Sequence, residues 1–190
     1  MFIEKLAINT KLNITETTTA ELKHKVIVSN KTAARRKTTF VDRLYKFAVK
    51  NKYKHIAYHM DADHDYDKRY SELKEQFTNE MQEICHCLVI VPKEMIESWL
   101  LSDMDAFSPP INQKILPKKP EEIWGEENDP ESNHPKNYLK RVLYSIGKQP
   151  NRDTYAEIAQ NISIDVILKR CPKSFGRFYA DMQEFIKERT

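Results

Sequence analysis

An α/β fold is predicted for these 190 residues, a small parallel sheet flanked by helices with a helical C-terminal part packed on it. Three observations predict it. Cys87-Leu88-Val89-Ile90-Val91 is an almost unbroken apolar run, the pattern of a strand buried on both faces. Lys54-His55-Ile56-Ala57-Tyr58-His59-Met60 reads as a second buried strand. Between them, residues 68–84 carry Leu73, Phe77, Met81 and Ile84 at helical spacing. Strand–helix–strand alternation of this kind builds a parallel, helix-covered sheet with right-handed crossovers.

Taken in order, Phe2, Ile3, Leu6 and Ala7 share one face, so Met1 to about Ile8 reads as the tail of a helix. Thr15 to Thr19 is a polar turn, and Lys25-Val26-Ile27-Val28 a short strand. Thr38 or Thr39 then caps a helix whose apolar stripe is Phe40, Leu44, Phe47 and Ala48. The strand at 54–60, the helix at 68–84 and the strand at 87–91 follow. After Pro92, Glu94 to Ser102 is a short helix that buries Met95, Ile96, Trp99 and Leu100. Ser108 to about His134, rich in Pro, Lys and Glu, reads as a long surface excursion. Pro135 suits the first turn of a helix. Further helices are expected over Thr154 to Asn161, over Asp165 to Arg170, and from Ser174 with Phe175, Phe178, Met182 and Phe185 as its stripe. The chain thus divides into an α/β core over 1–103, an excursion over 104–134 and a helical part over 135–190.

Composition narrows the classes. Lys plus Arg number 31 against 28 for Asp plus Glu, a formal charge of +3, so any nucleic-acid footprint is local and not a matter of bulk charge. Three Gly against nine Pro argue against a glycine-looped nucleotide binder. Cys85, Cys87 and Cys171 are few and odd in number, which fits a reducing cytosol. No apolar run approaches the roughly 20 residues needed to span a bilayer, and Met1-Phe2-Ile3-Glu4-Lys5-Leu6 carries no signal-peptide core. A cytoplasmic protein with no membrane partner is expected.

The strand at 54–60 runs straight into Asp61-Ala62-Asp63-His64-Asp65. Residues two apart on an extended chain point the same way. Asp61 and Asp63 can therefore share one hard cation, Mg2+ or Mn2+, with Asp65 as a further ligand and Asp67 continuing the acidic field. Such a site most often serves chemistry on phosphate; the plain alternative is a solvated acidic turn. Lys31, Arg35, Arg36 and Lys37 precede a helix start and offer a phosphate grip, or simply a wet basic surface. His55, His59 and His64 bracket the acidic loop and are expected to be structural or solvated. Cys85-His86-Cys87 looks like half a zinc site without a second ligand pair.

The strand-end Asp-x-Asp in an α/β domain resembles the Toprim fold of topoisomerases, bacterial primases and overcoming-lysogenization-defect nucleases. Glu97-Ser98-Trp99-Leu100-Leu101-Ser102-Asp103, Pro135-Lys136 with Leu139, and Cys171-Pro172-Lys173-Ser174-Phe175 resemble something narrower. They look like a Toprim-like family of bacterial proteins often encoded beside AAA-type or ABC-type ATPases in phage-defence loci. The resemblance implies a Mg2+-dependent nuclease acting on DNA or RNA, with Asp61, Asp63 and Glu97 as catalytic residues and Lys136 on a phosphate. It further implies an ATPase partner and leaves room for a homodimer. Toprim domains open with a strand ending in glutamate, the general acid or base. Met1 to Ala7 aligns best with the helix after that strand, so the strand is either encoded further upstream or lost. If lost, the resemblance implies a catalytically inactive binding or regulatory subunit. Asp-x-Asp also marks glycosyltransferases and haloacid-dehalogenase phosphotransferases. The first reading lacks a nucleotide-binding loop upstream, and the second lacks a small residue after Asp63, where His64 stands.

Overall fold

The computed structural model describes residues 40–62, 65–81 and 85–187, and these form an α/β fold. The order is α1 (Phe40–Asn51), β1 (His55–His59), α2 (Tyr66–Met81), β2 (His86–Ile90) and α3 (Ile96–Leu100). Three 3-10 turns follow, at Met104–Ala106, Gln113–Ile115 and Pro120–Glu122. The chain then continues through α4 (Pro135–Ser145), α5 (Arg152–Asn161), α6 (Ile164–Arg170) and α7 (Ser174–Lys187). The expected helix over Met1 to Ile8, the strand at 25–28 and the Thr38/Thr39 cap lie outside the described residues. Among the described residues no helix is long and apolar enough to cross a membrane.

β1 and β2 pair in parallel, with His55 opposite His86 and His59 opposite Ile90. β2 explains its own composition. Leu88 and Ile90 enter one apolar cluster with Trp99, Leu139 and Phe175, while Val89 and Val91 enter a second with Leu44, Ala48, Leu73 and Phe77. Alternate side chains thus feed two cores, and neither face tolerates a polar residue. β1 departs from the expected buried strand: Ala57 and His59 are exposed and the rest only half-buried.

The short helix is shorter than Glu94 to Ser102, because Ser98 and Ser102 bond the carbonyls of Met95 and Trp99 at 2.5 and 2.7 Å and compete with the helical ladder. α5 begins at Arg152, two residues earlier than expected, because the Asn151 side chain accepts the Thr154 N–H at 2.9 Å. Residues 104–134 are more than a surface excursion. Ile111 and Leu116 join the main core, and Glu121 is buried at 5% exposure. Its carboxylate accepts the N–H groups of Lys173 (3.0 Å) and Ser174 (2.6 Å) and the Ser174 hydroxyl, so it caps α7 from 52 residues away. The Ser174 hydroxyl in turn accepts from Trp99 Nε1 at 2.8 Å. Trp99 packs on Phe175 and Phe178 at 5.1 and 5.6 Å between ring centres. One buried relay therefore fastens the excursion, α3 and α7 together.

Candidate active site

The acidic tip of β1 is held by backbone pairing that outlasts the strand. The Met60 N–H donates to the Ile90 carbonyl at 3.0 Å and the Ala62 N–H to the Pro92 carbonyl at 3.2 Å. Asp61 lies between these two clamped amides, so its position is set by the sheet. Ala62, alternate to it, is buried in the second core. Asp61 shares its face with His59, and Asp61 Oδ1 lies 3.2 Å from His59 Nε2. That contact lacks hydrogen-bond geometry, and Asp61 Oδ1 is buried without a hydrogen-bond partner among the described residues. An anionic oxygen left in this way calls for a donor or a cation.

Glu97 comes from α3 into electrostatic reach of Asp61. Off the apolar stripe in sequence, it is nonetheless buried. Burial pushes its carboxyl above the usual carboxylate range; its own backbone N–H opposes this, the Asp61 charge adds to it, and Lys136 and His134 oppose it. Lys136 comes from the first turn of α4, after His134 at the cap and Pro135 at the first helical position. A cation there faces the positive end of the helix dipole, so helix stability does not explain it. Its neighbours do. Lys136 Nζ lies 2.9 Å from Glu127 Oε1, and Glu127, Glu97 and Asp61 all raise its pKa. Tyr155 of α5 closes the group, its hydroxyl pushed up by burial and then by the Glu97 charge. His134 Nδ1 is buried with no hydrogen-bond partner among the described residues.

Three of the expected site residues, Asp61, Glu97 and Lys136, thus come within electrostatic reach of one another although they lie on three separate segments. The others do not join them. Asp63 lies outside the described residues, as do His64, Lys31, Arg35, Arg36 and Lys37. Asp65 stands exposed at the start of α2 and is not among the strongest influences on Glu97 or Lys136. Asp67 belongs to a different cluster: it pairs with Lys173 at 2.6 Å and Arg177 at 3.7 Å, tying α2 to α7. There Tyr70 donates to Asp181 at 2.5 Å, Arg177 lies 4.7 Å from the Tyr70 ring centre, and burial pushes the Tyr66 hydroxyl up to about 12. The acidic field therefore ends before Asp67.

The last residue of the Glu-x-Trp-Leu-x-x-Asp segment is also structural. Asp103 accepts the N–H of Ser163 at 2.9 Å, ahead of α6, and that of Asp105 at 3.0 Å. Cys85 and Cys87 fall on one side of their strand and His86 on the other, so the three cannot share a zinc ion. Among the described residues no three His, Cys, Asp or Glu side chains converge on one point. The described carboxylates at the site are Asp61 and Glu97, an all-oxygen pair of the type a hard cation prefers. His134, Tyr155 and Glu127 carried no signal in the sequence beyond the nearness of His134 to the Pro-Lys pair.

The raised pKa of Glu97 has a consequence for stability. The folded chain holds this proton more tightly than the unfolded chain, whose carboxyl titrates near 4.5. Stability is therefore lost as pH rises from there through the folded pKa, and the loss persists at higher pH. Glu97→Gln is expected to unfold at a higher temperature than the parent at about pH 8, with the gap shrinking toward about pH 5. Thermal unfolding without added metal at both pH values checks this; a gap that is absent, or wider in acid, contradicts it.

The sequence profile of a family described as "Domain of unknown function (DUF4276)" matches residues 3–183. No curated protein and no solved structure matches the chain.

Proposed function

We propose that this chain, which belongs to the DUF4276 family, is a Mg2+- or Mn2+-dependent phosphodiester-cleaving nuclease of Toprim type, acting on DNA or RNA. The observation that carries the reading is that Asp61, Glu97 and Lys136 lie within electrostatic reach of one another, with Asp61 Oδ1 buried and without a hydrogen-bond partner among the described residues. Asp61 would hold the cation, and the Asp-x-Asp pattern assigns Asp63 as its second carboxylate. The bound ion supplies charge neutralisation for the phosphodiester and lowers the pKa of an attacking water. Glu97, whose burial raises its affinity for a proton, would act as general base once ionised beside the cation. Lys136 would grip a non-bridging phosphate oxygen once it leaves Glu127, a solvent-exposed pair that costs little to break. A cytoplasmic setting and an AAA- or ABC-type ATPase partner belong to the same reading and rest on the family resemblance of the Glu97–Asp103, Pro135–Lys136 and Cys171–Phe175 segments.

The test is incubation of the full-length chain with plasmid, single-stranded DNA and tRNA in magnesium, manganese or chelator. Cleavage that the chelator abolishes is expected. Retained metal uptake with no cleavage of any substrate would instead assign the chain to a binding or regulatory role.

A further inference from the structure

Asp67 stands among more positive charge than one carboxylate needs. Its exposed side chain lies 2.6 Å from Lys173 Nζ and 3.7 Å from Arg177 Nη1. The hydrogen bond from Lys173 holds its carboxyl below the usual carboxylate range; desolvation opposes that, and the charges of Lys173, Arg177 and Lys93 add to it. Three cations thus act on one carboxylate. Glu122, a second carboxylate on which Lys93 acts, already accepts from Lys119 at 2.9 Å.

Two of these cations are set in place by the fold. Arg177 lies 5.5 and 4.7 Å from the ring centres of Tyr66 and Tyr70, and Lys173 Nζ lies 5.4 Å from that of Tyr66. The rings are fixed in turn: Tyr66 is buried and donates to the Lys173 carbonyl at 3.2 Å, and Tyr70 donates to Asp181 at 2.5 Å. A guanidinium laid on aromatic faces keeps its planar fork of donors with little freedom left to lose. The third cation ties the patch to the end of the sheet. Lys93 follows Pro92, whose carbonyl holds the Ala62 N–H directly after Asp61. The strand ends that fix Asp61 therefore also carry Lys93.

We propose that Lys93, Lys173 and Arg177 form a second phosphate site, which binds a backbone phosphate of the nucleic-acid strand flanking the one that enters at Asp61 and Lys136, with Asp67 holding its place in the free protein; this rests on the nuclease reading above. A phosphodiester offers an ammonium and a guanidinium the same kind of anionic oxygen that the carboxylate does. The exchange costs little, because the Asp67 pair is solvent-exposed. Three cations also suffice for the phosphate and the displaced carboxylate together. A contact of this kind positions the strand and reads no sequence.

Binding of labelled single-stranded DNA of about 12 nucleotides is measured by fluorescence anisotropy at several salt concentrations, with calcium in place of magnesium to prevent cleavage. Lys173→Gln keeps the backbone N–H that Glu121 accepts and removes one phosphate contact. The slope of log K against log salt should become shallower by about 0.7, which is about 5-fold weaker binding at about 0.1 M salt. Asp67→Asn releases the same cations and should tighten binding by up to about 5-fold. Opposite signs for the two variants are the expected result. Slopes equal to the parent's in both variants, or weaker binding by both, overturn the second site, and the nuclease reading survives if the parent still cleaves in magnesium. A parent that binds no strand at any salt concentration sinks both.

Discussion

Asp61→Ala is expected to lower metal-dependent cleavage by about 10^3-fold, since several kcal/mol of transition-state stabilisation depend on the cation and each 1.36 kcal/mol is a factor of ten. The loss should fall on kcat, because Lys136 and the surrounding surface still bind the strand. The fold should survive: among the described residues Asp61 makes no hydrogen bond through Oδ1, and the pairing of Met60 and Ala62 with Ile90 and Pro92 involves backbone only. Removing its charge also relieves Glu97, so the variant should melt no lower than the parent in the absence of metal. Steady-state cleavage and thermal unfolding of the same preparations separate the two effects. An active Asp61→Ala variant would remove the cation from the chemistry.

The second large effect is on stability. Glu121→Ala strands two backbone N–H groups and the Ser174 hydroxyl at the start of α7, all of which now end on one carboxylate. Each buried donor left unpaired costs about 1–3 kcal/mol. Water entering the space offsets part of that, so a net loss of about 3 kcal/mol is expected, or about 6–12 °C in the melting temperature for a chain of this size. Glu121→Gln keeps an acceptor and should lose about 1 kcal/mol. Calorimetry or circular dichroism measures both; an alanine variant that melts within about 1 °C of the parent would mean that the relay through Ser174 and Trp99 does not hold the excursion.

The fold was most legible where the apolar pattern had one solution. The run Cys87–Val91 demands burial on two sides, and β2 indeed feeds two cores. The stripes of Leu44 and Ala48, of Leu73 and Phe77, and of Phe175, Phe178 and Met182 each became a buried helix face. Long-range polar pairing was illegible. Nothing local distinguishes Glu121 in Lys-Pro-Glu-Glu from an exposed glutamate, yet its partners stand 52 and 53 residues away. Asp67 read as part of the acidic loop because only the arrival of Lys173 and Arg177 takes it elsewhere. At the site, Glu97 and Lys136 stood out through motif resemblance, not periodicity. His134 and Tyr155 matter through where α4 and α5 set them, and no spacing in the chain announces that.

The cation site is tested most directly by calorimetric titration of the full-length chain with manganese at about pH 7.5, beside Asp61→Ala. The account predicts saturable uptake by the parent, tighter as pH rises because a cation near Glu97 favours its ionised form, and no uptake by the variant. Heats of dilution alone from the parent, or equal uptake by both proteins, would contradict it.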